Sequence, residues 1–170
     1  MRIHKLTREQ LVRAELPEVF EFFSRAGNLE ALTPPWLSFR LLGAGDAAMR
    51  RGALIDYRLR LHGLPIRWRT LIEVWEPGVR FLDLQLRGPY ALWSHLHEFE
   101  SRPEGTLVRD EVLYALPFSP LGDLAHPLLV KRDLRRIFDF RQAAVRRRLE
   151  TGAEAGYSST SSGRSTSRSS

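Results

Sequence analysis

The sequence predicts an α+β fold in which a curved antiparallel sheet of about seven strands wraps one long C-terminal helix. Two observations carry it. Between Trp36 and Ala115 the hydrophobic period is two, in six segments separated by short turns rich in glycine and proline, and turns this short favour antiparallel neighbours. From Ser119 to Glu150 the period changes. Leu121, Leu124, Leu128, Leu134, Ile137, Phe138, Val145 and Leu149 recur at three- and four-residue steps, with Lys131, Arg132, Arg135, Arg136, Arg141 and Arg146 to Arg148 falling mostly between them. Such a helix spans roughly 45 Å, and its apolar stripe is too marginal to stand uncovered in water. The sheet is what covers it.

Met1 to Arg13 alternates loosely through Ile3, Leu6 and Leu11 and reads as an opening strand. A helix follows, with Pro17 at its first position and Val19, Phe20, Phe22 and Phe23 on one face, and Gly27 ends it. Asn28 can cap a second short helix through Leu32, which Thr33-Pro34-Pro35 stops because two prolines cannot continue the ladder. The six later strands are read as Trp36 to Leu42, Ala53 to Leu61, Ile66 to Trp75, Arg80 to Leu86, Ala91 to Glu100 and Thr106 to Ala115. Pro120 fits the first turn of the long helix.

A chain of 170 residues, 43% of them hydrophobic, supports one domain with a substantial core, expected over residues 1 to 150. Thr151 to Ser170, with eight serines, three threonines and almost nothing apolar, is expected to be a disordered Ser-rich tail. There is no cysteine, which excludes a disulfide framework and a thiolate nucleophile. With no apolar N-terminal run, the expectation is a soluble cytoplasmic protein. The net charge of +6 arises from 26 basic residues, nearly all arginine, against 20 interspersed acids, so a solvated basic surface is favoured over a nucleic-acid site.

The segments Asn28-Leu29, Leu32-Thr33-Pro34-Pro35-Trp36-Leu37, Trp75-Glu76-Pro77, Phe81-Leu82-Asp83-Leu84-Gln85, Gly88-Pro89-Tyr90, Trp93-Ser94-His95-Leu96-His97 and Tyr114-Ala115-Leu116-Pro117-Phe118 give the chain a resemblance. It resembles the START/Bet v1-like (SRPBCC) superfamily, and within it the polyketide cyclase/dehydrase-like branch that includes coenzyme-Q-binding START proteins. The resemblance implies a helix-grip fold with a cavity between sheet and helix for an apolar or ring-containing small molecule. It also implies no metal and no cofactor. It leaves function open, since such relatives include carriers, receptors and aromatases.

Tyr57 and Trp68 fall on the inward phase of their strands, where each is either plain aromatic core or a ligand contact. Trp93, His95, His97 and Phe99 share one face of the next-to-last strand, and Asp110 shares a face with Val112 and Tyr114. A His-x-His pair with a carboxylate from Asp83 or Asp110 can ligate a metal, but without a third histidine at a diagnostic spacing a structural or ligand-bonding role is favoured. Alternation would send Leu82, Leu84 and Leu86 inward, whereas the resemblance implies that Phe81, Asp83 and Gln85 line the cavity; the latter reading is followed. The candidate ligand-binding residues are therefore Trp36, Tyr57, Trp68, Asp83, Gln85, Trp93, His95, His97, Asp110, Tyr114 and Phe138.

No nucleophile triad, phosphate loop or metal signature is present, so binding or transport of a hydrophobic small molecule, a lipid, quinone or polyketide-like compound, is favoured over catalysis. The alternative is a cofactor-independent cyclase or dehydratase using the same polar patch as acid and base. A third class is docking of the basic helix face to an anionic membrane surface, with nucleic acid disfavoured because aromatics do not interleave on that face.

Overall fold

The structure, a computed structural model, describes residues 1–43, 49–117 and 129–158. The element order is β1 (Ile3–Val12), α1 (Leu16–Phe23), two 3-10 turns (Ala26–Leu29 and Pro35–Leu37), β2 (Arg40–Leu42), β3 (Leu54–Leu61), β4 (Leu64–Glu76), β5 (Arg80–Arg87), β6 (Leu92–Arg102), β7 (Gly105–Ala115) and α2 (Lys131–Ser158). The seven strands form one antiparallel sheet in the order β1-β7-β6-β5-β4-β3-β2. Consecutive strands from β2 to β7 are neighbours, as short turns dictate, and β1 closes onto β7 with Ile3 opposite Ala115 and Val12 opposite Thr106.

Two expectations change at the start of this series. Asn28 lies inside the first 3-10 turn, and its side-chain amide donates to the Phe22 carbonyl at 2.7 Å, so it finishes α1 instead of opening a further α-helix. Ser24 has already stopped α1, its hydroxyl donating to the Phe20 carbonyl at 2.6 Å. Trp36 does not begin a strand. Pro35 and its neighbours tighten into the second 3-10 turn, Ser38 takes up a left-handed conformation at φ 45°, and pairing starts only at Arg40.

The long helix is found C-terminal to the sheet, 28 residues or about 42 Å at 1.5 Å per residue. Ser119, Pro120, Leu121, Leu124 and Leu128, expected in its first turns, lie outside the described residues, as do Ala44, Gly45, Phe118 and residues 159–170. The helical backbone runs past Glu150 to Ser158, into the segment read as tail.

One half of α2 packs into the main core: Ala144, Val145 and Leu149 meet Val12, Val19, Phe20, Phe23, Phe81 and Phe99. Polar clamps set its height, with Gln10 donating to the Gln142 carbonyl at 2.9 Å and Gln142 returning a bond to the Glu9 carbonyl at 3.0 Å. The N-terminal half, with Leu134 and Phe138 on Val112 and Tyr114, spans the concave face of the sheet. At the far rim the β3–β4 hairpin turns on His62 (φ 50°) and Gly63 (φ 82°), and His62 Nε2 reaches Asp133 Oδ2 of α2 at 2.7 Å. No helix among the described residues is long and apolar enough to cross a membrane.

Candidate functional site

Between the concave sheet and the first turns of α2 lies a cavity walled by leucine, isoleucine and aromatic side chains. The space open to the centres of water-sized spheres measures about 160 Å³. A single water needs about 10 to 15 Å³ on that measure, so the cavity takes a molecule of many heavy atoms. Tyr57, Trp68, Asp83, Trp93, His95, His97 and Phe138 all line it, joined by Thr70, Tyr90 and Arg141. Its aromatic floor is continuous: Tyr57 stacks on Trp68 at 5.7 Å, and Trp68 meets Trp93 edge-on at 5.3 Å.

The polar centre is built across three adjacent strands. Asp83 of β5 pairs in register with His95 of β6, and His97 pairs with Asp110 of β7, so four titratable side chains meet on one face. His95 Nε2 lies 3.0 Å from Asp110 Oδ1 and His97 Nε2 lies 3.2 Å from Asp83 Oδ2, both as hydrogen bonds. The remaining nitrogens complete a ring. His97 Nδ1 stands 2.7 Å from Asp110 Oδ1 but out of line for a hydrogen bond, and His95 Nδ1 stands 3.6 Å from Asp83 Oδ2. The two imidazole centroids lie 3.8 Å apart with the rings tilted by 40°, and Phe81 stacks on His97 at 4.2 Å.

Burial sets the electrostatics. It pushes the His95 imidazole below its ordinary value, with the neighbouring His97 adding to the effect. Burial alone would raise Asp83 and Asp110. Hydrogen bonds from the histidines, with the positive field of Arg141, outweigh it, so both carboxyls sit below the ordinary range and Asp110 well below. Burial also pushes the Tyr57 and Tyr90 hydroxyls upward, leaving them protonated donors.

Asp83, His95 and His97 offer one ligand atom each within 4.8 Å of one another, a donor set that a divalent metal accepts. His97 Nε2 is, however, already engaged by Asp83 and His95 Nε2 by Asp110, so the carboxylates and imidazoles are paired through protons, with His97 Nδ1 left out of line.

Four expected ligand contacts are placed elsewhere. The Trp36 ring is 51% exposed and packs outside, against Phe140 at 6.0 Å and under the Arg136 guanidinium at 5.0 Å, because the 3-10 turn points it away from the sheet. Gln85 shares the inward phase with Asp83 but folds over the next turn, donating to the Tyr90 carbonyl at 2.8 Å and accepting from the Tyr90 amide at 3.3 Å. It shapes the cavity by fixing Tyr90. Asp110 and Tyr114 are buried one layer behind, Asp110 under the histidines and Tyr114 beside Trp93 and Tyr90.

Arg141 is the residue that its charge assigns to the solvated face and the structure puts in the cavity wall. The signal is available in its spacing: Leu134, Phe138, Arg141 and Val145 follow one another at three- and four-residue steps along one side of the helix.

No family model matches the chain, and no curated protein sequence does. Solved structures do match in fold. TTHA0849 from Thermus thermophilus superposes with a TM-score of 0.64 at 21% identity, over 88% of this chain and 99% of that one. Ara h 8.0201 gives 0.59 at 16% identity, over 85% and 98%. The di-domain aromatase/cyclase StfQ of the steffimycin biosynthetic pathway gives 0.69 at 13% identity, the match covering 89% of this chain and 52% of StfQ. The fold is thus the Bet v1-like helix-grip, with seven antiparallel strands, short helical turns after the first strand and a long C-terminal helix.

Proposed function

We propose that the protein binds, and carries, a hydrophobic small molecule of lipid, quinone or polyketide-like character in the cavity between sheet and α2. The observation behind this reading is the cavity itself, an apolar aromatic-floored space with one buried polar cluster at its centre. In such a site the apolar wall supplies affinity by desolvation, and a few fixed polar groups orient the occupant. Ligand extraction after native mass spectrometry of protein purified from its own host tests it. Recovery of a lipid, quinone or polyketide supports the reading; an unliganded protein that also binds no apolar probe sinks it. A stoichiometric ion in the same preparation would return Asp83, His95 and His97 to a metal role.

A second reading, a cofactor-independent cyclase or dehydratase, is favoured by one feature. His95 is buried, held below its ordinary protonation range, and backed by the ionised Asp110 3.0 Å from Nε2, the arrangement of an imidazole acting as base toward a bound substrate. The fold likeness to StfQ is compatible with it. Turnover of a poly-β-ketone substrate by the pure protein, abolished in His95→Gln, would move the assignment from carrier to enzyme.

A further inference from the structure

The polar groups facing the cavity divide into those already satisfied and those that are not. Asp83, His95 and His97 are bound to one another and to Asp110. Two donors remain. Trp68 is 8% exposed, and its Nε1–H is buried without a hydrogen-bond partner. Arg141 Nε–H is likewise buried and unpartnered. Among the described residues the Arg141 guanidinium has no ion pair, and its Cζ lies over the Phe23 ring at 5.3 Å.

Arg141 is half-buried in an apolar wall; the Asp83 and Asp110 carboxylates act on it only through space, no ion pair to it forms among the described residues, and its buried Nε–H and the Trp68 indole N–H both lack an acceptor, which costs stability. Both groups belong to the cavity lining, and both can only donate. We infer that the occupant of this cavity is an apolar molecule bearing a carboxylate, and that Arg141 is the residue that anchors the carboxylate, with Trp68 as a second donor to the occupant's oxygens. The inference rests on the carrier reading and deepens it by naming the ligand's polar end. The guanidinium fork matches a carboxylate in two parallel hydrogen bonds. Asp83 does not compete for it, since that carboxylate rises from the sheet and is held by His97, whereas Arg141 comes down from the helix.

Calorimetric titration of the full chain near neutral pH with two matched pairs tests this: decanoate against 1-decanol, and 2-naphthoate against 2-naphthylmethanol. Wild type is expected to bind each acid at least about tenfold tighter than its alcohol, the margin of one charge-assisted hydrogen bond. R141M, equal in reach but apolar, is expected to lose that margin while alcohol affinity moves by less than about threefold, and R141K, a charge without the fork, to fall between. Alcohols bound as tightly as acids by wild type, a result that needs no variant, would overturn the inference and leave the cavity function standing, as would an acid preference that survives in R141M. Failure of all four probes to bind would take the carrier reading down with it.

Discussion

Asp83 and Asp110 sit two strands apart, on β5 and β7, and close on the same pair of imidazoles from opposite sides. Each histidine therefore stands between two carboxylates, and removing one member strips a buried group of its nearest partner. Asp110→Ala is expected to cost about 3 kcal/mol, the usual penalty for breaking a buried pair from one side. Adding His95→Ala to it should cost less than the sum of the two single changes, since the partner is already orphaned. Urea unfolding of the two single variants and the double one measures this, and strictly additive losses would mean the residues do not act as a unit.

The same cluster makes stability depend on acid in two stages. His95 has its folded-state value below the ordinary 6.5, so as pH falls the unfolded chain takes up a proton first; its contribution is full above about 6.5 and declines beneath it. Asp83 and Asp110 are lowered from 3.8, so theirs is present above that value and lost as pH falls further. Thermal melts between neutral pH and strong acid should show both declines, and His95→Gln should remove the first. A melting temperature that rises between neutrality and mild acid would contradict the assignment.

A side chain at Gly88 would meet the tip of the Gln85 side chain. A Cβ there would stand 2.2 Å from Gln85 Oε1, the atom that accepts from the Tyr90 amide. Gly88→Ala is expected to displace Gln85, free Tyr90 and weaken apolar-probe binding severalfold, with a stability loss of about 1 to 2 kcal/mol. Unchanged probe affinity would separate the turn from the cavity.

Leu149 is the last residue of α2 whose side chain is described in the core. Truncation after Glu150 is accordingly expected to shift the melting temperature by less than about 5 °C, roughly 1 kcal/mol for a domain of this size. A larger drop would make the final segment part of the fold.

How far the sequence is readable depends on the kind of signal. The strand series is plain because β3, β6 and β7 each have one buried and one more exposed face, as in Val108, Asp110, Val112 and Tyr114 against Arg109 and Glu111. On β5 alternation carries no sign, since Leu84 on the outer face pairs with Leu71, which pairs with Leu54, so both faces are partly apolar. There only the resemblance implies an inward phase for Phe81, Asp83 and Gln85; the first two line the cavity, while hydrogen bonding to Tyr90 turns Gln85 aside. Trp36 escapes the pattern because prolines suit both strand edges and 3-10 turns. Arg141 escapes it because charge is given more weight than spacing, a rule that fails where a protein keeps an unpaired cation for a purpose.

The contact between His62 and Asp133 bears on how fast the cavity exchanges its contents. The pair joins the tip of the β3–β4 hairpin to the first turn of α2, and His62 is 57% exposed. Exposed pairs of this kind hold with about 0 to 1 kcal/mol, a barrier that thermal motion crosses readily. On the carrier reading proposed above, opening of this contact is the expected route by which cargo exchanges, with residence time governed by how well the occupant is held. The chain has no cysteine of its own, so His62→Cys with Asp133→Cys, joined by a short reducible crosslinker, fastens that contact selectively. Release of a bound probe should slow in the linked protein and recover on reduction; an unaltered release rate would place the route at another rim.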